Sequence, residues 1–279
     1  MELIADAGST KTDWVLLDGQ NIVERMTTQG INPVHQKEEY IYVIVTGELN
    51  CRKDDVGGIH FYGAGCSGQW NNNVRSVLTR VFPQASTIEV DSDLMGAARA
   101  VCGEKEGIAC ILGTGSNSCL FDGNRIVDNV PPLGYILGDE GSGAVLGKLF
   151  LNALFKRALP STVCDEFFAW SGLSYADVIE KVYRQPLANR FLSSCSLFIH
   201  NHLDVKQLSD LVKSNFKDFF MKNVVPYERK DLEVGAVGSI AWYYQDILRD
   251  VACELGLKVG LIIKSPLEGL VCFHSNRQV

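Results

Sequence analysis

The stretch Asp6-Ala7-Gly8-Ser9-Thr10-Lys11-Thr12 lies between two apolar runs, Leu3–Ala5 and Trp14–Leu17. Small and polar residues between two such runs predict a pair of strands joined by a tight turn. A second turn follows at Asp18-Gly19, where both residues tolerate a positive φ, and a third extended run begins at Asn21. The N-terminal segment therefore predicts an antiparallel meander of three strands.

The same order of features returns about a hundred residues later. Ile108–Leu112 is an apolar run, Gly113–Asn117 is a turn of small and polar residues, and Ser118–Phe121 is the next run. The stretches Asp18–Glu24 and Asp122–Asp128 then match as D-G, two polar residues, I-V and an acid. A repeated supersecondary unit of this kind predicts two halves of one design.

Around the two meanders, apolar residues recur at helical spacing or in short extended runs. Predicted helices cover residues 38–49, 71–81, 94–102, 141–159, 204–222, 240–255 and 267–273. Predicted strands cover residues 59–62, 87–90, 234–236 and 259–262. Mixed strands and helices with short connections predict an α/β chain. We expect an N-terminal lobe over residues 1–105 and a C-terminal lobe over residues 106–279, with a hinge near residues 103–107.

The chain of 279 residues has a net charge of −7 and a pI of about 5.3, opposite to most nucleic-acid-binding proteins. No apolar run approaches the roughly 20 residues that span a bilayer. The N-terminus carries an acid at Glu2 and a glycine at Gly8, unlike a secretory signal peptide. The nine cysteines form no C-x-x-C pair, which favours reduced, buried thiols. We therefore expect a cytoplasmic protein that binds neither nucleic acid nor a membrane.

The two glycine turns carry groups that can bind an anion. In the first turn, small residues leave backbone N–H groups open, Thr10 and Thr12 add hydroxyls, and Lys11 adds a cation. Asp6, at the end of the first strand, could hold a water molecule bound to Mg²⁺. The spacing is not that of a Walker A loop, and an ordinary glycine hairpin is the alternative interpretation of this turn alone. Two such turns facing each other across a cleft would hold a nucleoside triphosphate from both sides.

Asp91 and Asp93 stand where an apolar strand runs into a helix of small residues. A carboxylate at this position can cap the helix through its backbone N–H groups, an alternative that is stronger for Asp91 than for Asp93. The same position can direct a carboxylate at a substrate hydroxyl. Phosphoryl transfer to an alcohol uses such a group to accept the hydroxyl proton. The pattern leaves both interpretations open.

Two further glycine-rich segments follow. Gly134–Gly143 contains Asp139 and Glu140, whose carboxylates suit either the N-terminus of the helix behind them or the paired hydroxyls of a sugar. Gly235–Ile240 leads from a strand into a helix, and its small residues could pack against an adenine ring and its ribose. Both segments are therefore candidates for ligand binding.

In chain order, the segments D-A-G-S-T-K-T, D-L-M-G-A, G-T-G-S-N, G-D-E-G-S and V-G-A-V-G-S resemble the sugar kinase/Hsp70/actin superfamily. Within it, the chain is similar to the BadF/BadG/BcrA/BcrD-type proteins, and most of all to N-acetylglucosamine kinases. The likeness runs over nearly the whole chain. It implies a two-lobed ribonuclease H-like fold of the actin and hexokinase type, with an inter-lobe cleft. It also implies that a last helix, at about residues 265–274, packs back on the N-terminal lobe.

The resemblance implies roles for individual residues. Asp93 would be the general base for the 6-hydroxyl of the sugar, and Asp6 would hold Mg²⁺ through water. The residues implied in binding ATP and its phosphates are Asp6, Gly8, Thr10, Lys11, Thr12, Gly113, Thr114, Gly115, Gly238 and Ser239. The residues implied in binding the sugar are Asn32, Asp93, Ser116, Asn117, Gly134, Asp139 and Glu140.

The reaction that the resemblance implies is transfer of the γ-phosphoryl group of Mg²⁺-ATP to a small amino sugar. N-Acetylglucosamine is the expected substrate, with N-acetylmuramate and glucosamine as alternatives. An ATPase that activates a radical dehydratase shares the fold, and Cys66 is the one glycine-flanked cysteine that suggests it. A non-catalytic sugar sensor is the remaining alternative. The sequence does not fix the oligomeric state, and a homodimer is a hypothesis.

Overall fold

The computed structural model describes residues 1–8, 10–51 and 53–275. The chain divides into two compact units. Unit 1 is formed by residues 1–106, residues 121–126 and the C-terminal segment that begins at Ser265. Unit 2 is formed by residues 107–120 and 127–264. Within these described ranges, no helix is both long and apolar enough to cross a membrane.

A five-stranded mixed sheet forms the centre of unit 1. Its strands are β1 (Glu2–Ala7), β2 (Lys11–Asp18), β3 (Asn21–Gln29), β4 (Gly58–Gly63) and β5 (Thr87–Ser92). They lie in the order β3-β2-β1-β4-β5. The three strands of the meander are antiparallel, and β4 and β5 run parallel to β1. The carboxyl ends of β1, β4 and β5 therefore lie at one edge of the sheet.

A second five-stranded sheet repeats this arrangement. Its strands are β6 (Glu106–Leu112), β7 (Ser116–Asp122), β8 (Ile126–Asp128), β9 (Glu233–Val237) and β10 (Lys258–Ile263). From its meander side the order is β8-β7-β6-β9-β10, which matches the first sheet strand for strand. The strands β6, β9 and β10 are parallel. The predicted repeat and the predicted α/β class with duplicated mixed sheets are confirmed.

The helices of unit 1 cover the sheet. They are α1 (Glu38–Gly47), α2 (Trp70–Val81), α3 (Asp93–Cys102) and α12 (Leu267–His274). The core beneath α1 and α2 includes the fully buried Trp14 and Phe61. The helix α12 packs on α3, and the contact is close because a β-carbon at Gly269 would lie 2.5 Å from the carbonyl oxygen of Ala100. The C-terminal helix is thus part of unit 1.

Unit 2 is richer in helices. They are α4 (Gly134–Leu137), α5 (Gly143–Phe155), α6 (Ser161–Ser171), α7 (Tyr175–Tyr183), α8 (Ala188–His200), α9 (Lys206–Phe219), α10 (Ser239–Tyr243) and α11 (Gln245–Glu254). The helices α5 and α8 pack so closely that Gly147 meets the backbone of Leu192. Phe150, Phe167 and Phe198 form a cluster of edge-on and tilted rings in the core. The loops of the candidate site in unit 2 are connected to these packed helices.

Several helices differ from the sequence prediction. The predicted helix over residues 240–255 is divided at Tyr244, whose φ is −110° and whose buried ring donates its hydroxyl hydrogen to the Ser196 carbonyl at 2.5 Å. The predicted helix over residues 204–222 ends at Phe219, and Phe220–Val224 forms a π-helical turn. The predicted helix over residues 141–159 ends at Phe155. Tertiary packing overrides periodicity at these ends.

The sequence analysis predicts no helix between residues 160 and 203, where α6, α7 and α8 lie. The start of α7 does carry a local signal. Ser174 accepts a hydrogen bond from the Asp177 N–H, and the Asp177 carboxylate accepts one from the Ser174 N–H, which is a capping box. The pair S-x-x-D before an apolar run would have predicted this helix.

Candidate active site

The first glycine turn joins β1 to β2 in unit 1. Asp6 pairs with Asp13 across the hairpin, and the Gly8 N–H donates to the Lys11 carbonyl at 2.9 Å. The Lys11 ammonium lies 2.5 Å from an Asp13 carboxylate oxygen, and 65% of its side chain is exposed. Thr12 is buried, and its hydroxyl oxygen accepts a hydrogen bond from a neighbouring loop. The turn therefore combines an accessible cation with two carboxyl groups.

Asp6 stands in an unfavourable environment for a charged carboxylate. Burial, together with the negative charges of Asp13 and Asp93, raises the pKa of Asp6 to about 7. Lys11 and a hydrogen bond with Ser265 act in the opposite direction. A carboxyl group held among carboxylates is an oxygen donor that a divalent cation would stabilise. Among the described residues, no three His, Cys, Asp or Glu side chains come together to hold a metal directly, so a role of Asp6 towards Mg²⁺ would be one through water.

Asp93 opens α3 at the carboxyl end of β5. The helix is capped by Ser92, whose hydroxyl oxygen accepts from the Met95 N–H at 3.1 Å, so neither Asp91 nor Asp93 is the cap residue. One carboxylate oxygen of Asp93 accepts from the Leu94 N–H at 2.9 Å, and burial raises the pKa of this carboxyl. The carboxylate accepts hydrogen bonds from the backbone N–H groups of Leu94 and of Asp93 itself, and no other side chain holds it among the described residues. A carboxylate left free of side-chain partners suits a group that accepts a proton.

Gly96 explains how α3 comes close to the sheet. A β-carbon at Gly96 would lie 2.9 Å from the Cβ of Tyr62 on β4. Any larger residue would push the helix outward and move Asp93 with it. The small residues of the D-L-M-G-A segment therefore set the position of the carboxylate.

Asn32, a predicted sugar-binding residue, and Cys66, the glycine-flanked cysteine, lie in two loops of unit 1 that are in contact. The Asn32 amide oxygen accepts a hydrogen bond from the Val34 N–H at 3.1 Å, and a β-carbon at Gly65 would lie 2.5 Å from that oxygen. Cys66 follows Gly65 and is buried, and burial raises the pKa of its thiol to about 12. Cys66 is therefore a protonated, buried thiol at neutral pH.

The second glycine turn, between β6 and β7, lies in unit 2 against the start of α5. The Gly143 N–H donates to the Gly113 carbonyl at 2.8 Å, and the Ala144 N–H donates to the Thr114 carbonyl at 3.1 Å. Within the turn, the Gly113 N–H donates to the Gly115 carbonyl at 2.9 Å. The N–H groups at the start of α5 thus hold the carbonyl groups of the second glycine turn in place.

The acidic loop (Gly134–Gly143), which contains Asp139 and Glu140, meets this turn at Asp139. The Asp139 carboxylate accepts a hydrogen bond from the Ser116 N–H at 3.4 Å, and a β-carbon at Gly115 would lie 3.1 Å from it. Asp139 adopts a φ of 54°, which is rare outside glycine, and its N–H donates to the Pro132 carbonyl at 2.9 Å. Burial raises the pKa of Asp139. Gly134, with a φ of 71°, begins the short helix of this loop.

The side-chain oxygens of Glu140 and Asn117 accept hydrogen bonds from other residues of unit 2. The Glu140 carboxylate lies 3.0 Å from the Lys222 ammonium and 3.5 Å from the Asn223 amide nitrogen, both in the π-helical turn. Burial opposes ionisation of Glu140, yet its hydrogen bonds and Lys222 together lower its pKa. The Asn117 amide oxygen accepts from the Ser118 N–H and from the Asn129 amide. Both side chains therefore brace the loops that they belong to.

The glycine-rich segment Gly235–Ile240 reaches the same region of unit 2. Gly238 has a φ of 119°, and its N–H donates to the Ile263 carbonyl at 3.0 Å. A β-carbon at Gly238 would lie 3.2 Å from the Gly113 nitrogen and would overlap the Leu112 carbonyl. Ser239 is the first residue of α10. This segment and the second glycine turn are therefore in direct contact.

The structure sorts the predicted residues by unit. Unit 1 contains Asp6, Gly8, Thr10, Lys11, Thr12, Asn32 and Asp93. Unit 2 contains Gly113, Thr114, Gly115, Ser116, Asn117, Gly134, Asp139, Glu140, Gly238 and Ser239. Sequence reasoning missed Asp13 and Ser265, which both act on Asp6. The hairpin pairing would have placed Asp13 opposite Asp6, whereas nothing in the sequence indicates the contact of Ser265.

The fold and these loops match solved structures. A Porphyromonas gingivalis protein named "putative N-acetylglucosamine kinase" is 46% identical to this chain, with 100% of both chains covered and a TM-score of 0.96. The chain belongs to the BadF/BadG/BcrA/BcrD-type sugar kinase family. The predicted family is therefore confirmed by a relative that spans the whole chain. No protein-family model matches the sequence, and a search of curated protein sequences finds no match.

More distant sugar kinases share the fold alone. A Chromobacterium violaceum protein, also named "putative N-acetylglucosamine kinase", is 16% identical, with 98% of each chain covered and a TM-score of 0.75. A ROK family glucokinase from Streptomyces griseus, solved with glucose and AMPPNP, is 14% identical over 98% of this chain and 97% of its own, with a TM-score of 0.56. The sugar kinase fold is thus kept at low sequence identity.

Proposed function

We propose that this member of the sugar kinase family is an ATP-dependent kinase that phosphorylates the 6-hydroxyl of N-acetylglucosamine. The observation that carries the proposal is the partly buried carboxylate of Asp93 at the start of α3, which is held by backbone N–H groups and by no other side chain among the described residues. The relative named "putative N-acetylglucosamine kinase", which covers the whole chain, supports the choice of sugar.

The chemistry assigned to Asp93 is that of a general base. The carboxylate accepts the proton of the 6-hydroxyl as the hydroxyl oxygen forms a bond to the γ-phosphorus and the bond to the bridging oxygen of ADP breaks. The products are the sugar 6-phosphate and ADP, with the proton on Asp93 until it is released. The raised pKa makes Asp93 a better proton acceptor than an exposed aspartate.

ATP is the phosphoryl donor in this proposal. In unit 1, Gly8, Thr10, Lys11 and Thr12 are assigned to its phosphates, and in unit 2, Gly113, Thr114 and Gly115 are assigned to them. Gly238 and Ser239 are assigned to the adenosine. Asp6 would hold Mg²⁺ through water, and the cation supplies charge neutralisation at the phosphates when bound. The environment of Asp6, which disfavours an uncompensated charge, supports this assignment.

The sugar is assigned to polar groups of both sequence halves. Asn32 supplies an amide, Gly134 begins the acidic loop, and Asp139 in that loop supplies a carboxylate held by the Ser116 N–H. A carboxylate fixed in this way can accept hydrogen bonds from two neighbouring hydroxyls. N-Acetylmuramate and glucosamine are the alternative sugars.

The experiment measures ADP release with Mg²⁺ and ATP across a panel of sugars. The panel contains glucose, glucosamine, N-acetylglucosamine, N-acetylmannosamine and N-acetylmuramate, with 6-deoxy-N-acetylglucosamine as a non-reacting analogue. We expect stimulation by N-acetylglucosamine, competitive inhibition by the 6-deoxy analogue, and a product phosphorylated at the 6-position by NMR. Asp93→Asn should lower turnover by roughly 10²–10⁴-fold.

Asp91→Asn is the matched control, because it removes a carboxyl group two residues away, near the end of β5 directly before α3. It should leave turnover within about twofold of the wild type. If Asp93→Asn turned over at the wild-type rate, the general-base role would be wrong. Stimulation by another sugar in the panel would replace N-acetylglucosamine as the substrate, and stimulation by none would remove the kinase proposal.

A further inference from the structure

Gln36 occupies the loop between β3 and α1 and bonds with both ends of its side-chain amide. Its amide nitrogen donates to the Gly30 carbonyl at 2.8 Å, and its amide oxygen accepts from the Asn32 N–H at 2.8 Å. Its own backbone N–H donates to the Asn32 carbonyl at 3.1 Å. The side chain is half-buried, so these bonds are partly shielded from water. Gln36 therefore closes the segment Gly30–Asn32 into a fixed loop.

The side chain of Asn32 is held at one end only. Its amide oxygen accepts from the Val34 N–H at 3.1 Å, which is an Asx turn. Its amide nitrogen has no hydrogen-bond partner among the described residues. Because the oxygen is anchored, rotation about the last side-chain bond is restricted and both N–H groups keep one direction. Asn32 thus offers a pre-oriented donor.

Gly65 confines the same amide from the other side. A β-carbon at Gly65 would lie 2.5 Å from the Asn32 amide oxygen and 3.0 Å from a methyl carbon of Val34. Gly65 also has a φ of 80°, which other residues rarely adopt. The loop after β4 therefore limits where the Asn32 side chain can move.

The clamped loop is bonded to the first glycine turn. The Gly30 N–H donates to the Thr10 carbonyl at 3.0 Å, and the Ile31 N–H donates to the Thr12 hydroxyl oxygen at 3.2 Å. Gly30 and Ile31 are buried. The turn thus fixes the first two residues of the loop. The Asn32 carbonyl accepts from the N–H groups of His35 and Gln36, both at 3.1 Å, whereas the Asn32 N–H is held by the Gln36 side chain.

We propose that Gln36 is a positioning residue for sugar recognition, because it holds the backbone of Asn32 so that the Asn32 amide donates to an oxygen of the sugar. The inference rests on the proposed function. It assigns to Gln36 an effect on the sugar and none on ATP, since its bonds end on Gly30 and Asn32.

The test compares Gln36→Met with Asn32→Ala and with the double variant. Gln36→Met keeps the length of the side chain and removes both hydrogen bonds. We expect the KM for the sugar to rise about tenfold, in line with the loss of one or two hydrogen bonds. The KM for ATP and the kcat should stay within about twofold of the wild type. Gln69→Met, at an exposed position in the same unit, is the matched control and should leave the KM for the sugar, the KM for ATP and the kcat unchanged.

The double variant separates positioning from a general structural role. If Gln36 acts through Asn32, adding Gln36→Met to Asn32→Ala should raise the sugar KM by less than about twofold more. Additive effects of the two changes would overturn the proposal, as would an equal rise in the KM for ATP. Gln36→Glu, which keeps the acceptor for the Asn32 N–H and is nearly isosteric, should give a smaller rise than Gln36→Met. If Gln36→Met does not fold, Gln36→Glu replaces it in the test. A sugar KM equal to that of the wild type in every folded Gln36 variant would overturn the proposal.

Failure of the inference differs from failure of the proposed function. A wild-type protein that no sugar stimulates contradicts the proposed function. A wild-type protein that phosphorylates a sugar, with a Gln36→Met sugar KM equal to that of Gln69→Met, contradicts only the role of Gln36.

Discussion

Gly238 lies so close to the carbonyl oxygen of Leu112 that a β-carbon at residue 238 would overlap it. Leu112 ends β6 directly before the second glycine turn, and Gly238 precedes α10. The φ of 119° at Gly238 is also one that side chains rarely adopt. The contact therefore sets the spacing between the segment Gly235–Ile240 and the second glycine turn.

Gly238→Ala should disturb both stability and the affinity for ATP. The variant must shift the backbone to relieve the overlap and also strains φ, so we expect a loss of about 1–3 kcal/mol in the free energy of unfolding. The KM for ATP should rise at least about tenfold, while the KM for the sugar changes less. Urea denaturation and steady-state kinetics measure these quantities. Gly256→Ala is the control, because Gly256 has a φ of 70° but no atom near its missing β-carbon. Equal effects of the two variants would contradict a role for the contact.

The raised pKa of Asp6 predicts a pH dependence of stability. Because burial and the charges of Asp13 and Asp93 raise this pKa from 3.8 to about 7, the neutral form is favoured in the folded state. The resulting stabilisation is complete below pH 3.8 and is lost as the pH rises through 7. Relative to Asp6→Asn, the wild type should therefore lose on the order of a few kcal/mol between pH 4 and pH 8 without Mg²⁺.

Urea denaturation at several pH values measures this difference. Asp250→Asn, which removes an exposed carboxyl group, should follow the wild type at every pH. A constant gap between Asp6→Asn and the wild type would show that Asp6 titrates normally. Adding Mg²⁺ and ATP should reduce the gap at pH 8, because a cation stabilises the charged form.

His274 predicts the opposite slope. It ends α12, its Nε2 lies 2.8 Å from the Tyr62 hydroxyl, and its ring stacks on His60 at 3.8 Å. Burial, with the electrostatic influence of His60 and Arg99, lowers the pKa of His274 from 6.5 to about 3. The stability linked to neutral His274 is present above pH 6.5 and is lost as the pH falls towards 3.

The measurement compares the wild type with His274→Gln, which keeps a hydrogen-bonding group but cannot titrate. The wild type should lose stability relative to the variant as the pH falls from 6.5 to 4. His35→Gln, at an exposed histidine, should run parallel to the wild type. If the stability of His274→Gln and of the wild type changed in parallel with pH, the pKa of His274 would be the same in the folded and unfolded protein, and the prediction would be wrong.

Asp139 and Glu140 should behave differently although they are adjacent. Asp139 is bonded to the Ser116 N–H in the second glycine turn, whereas Glu140 is paired with Lys222. Asp139→Asn should raise the sugar KM at least about tenfold, because a carboxylate acceptor is lost. Glu140→Gln should change it less and lower stability by up to about 1 kcal/mol, and Lys222→Met should reproduce that effect. A larger rise in sugar KM for Glu140→Gln than for Lys222→Met would make Glu140 a direct sugar contact.

The strands and the repeat could be predicted from the sequence because they depend on local pattern. The apolar runs on either side of Gly8 and the D-G turns at Gly19 and Gly123 predict the hairpins, and Gly19 and Gly123 have the expected positive φ. The division of a helix at Tyr244 could not be predicted, since it follows from a hydrogen bond to Ser196 in another helix. Periodicity reports which face is buried and not which distant group a side chain meets.

The candidate site follows the same rule. Asp6 lies near the end of β1 and Asp93 directly follows β5, and the pattern predicts the positions of both strands, so their neighbourhood could be expected. Ser265 reaches Asp6 through a packing arrangement that no local pattern records. The bracing of Glu140 by Lys222 depends on a π-helical turn, which has no reliable signature in a single sequence.

The position of α12 in unit 1 has a consequence for how the protein is made. The strands and helices of unit 1 up to α3 are synthesised early, but the helix that covers Ala100 is synthesised only after all of unit 2. A nascent chain therefore carries an uncovered α3 surface for most of its synthesis. Closing unit 1 then requires a contact between residues far apart in the chain, and such contacts form late and slowly. Unit 2, contiguous apart from the short segment 121–126, can complete its core while unit 1 is still waiting for its last helix.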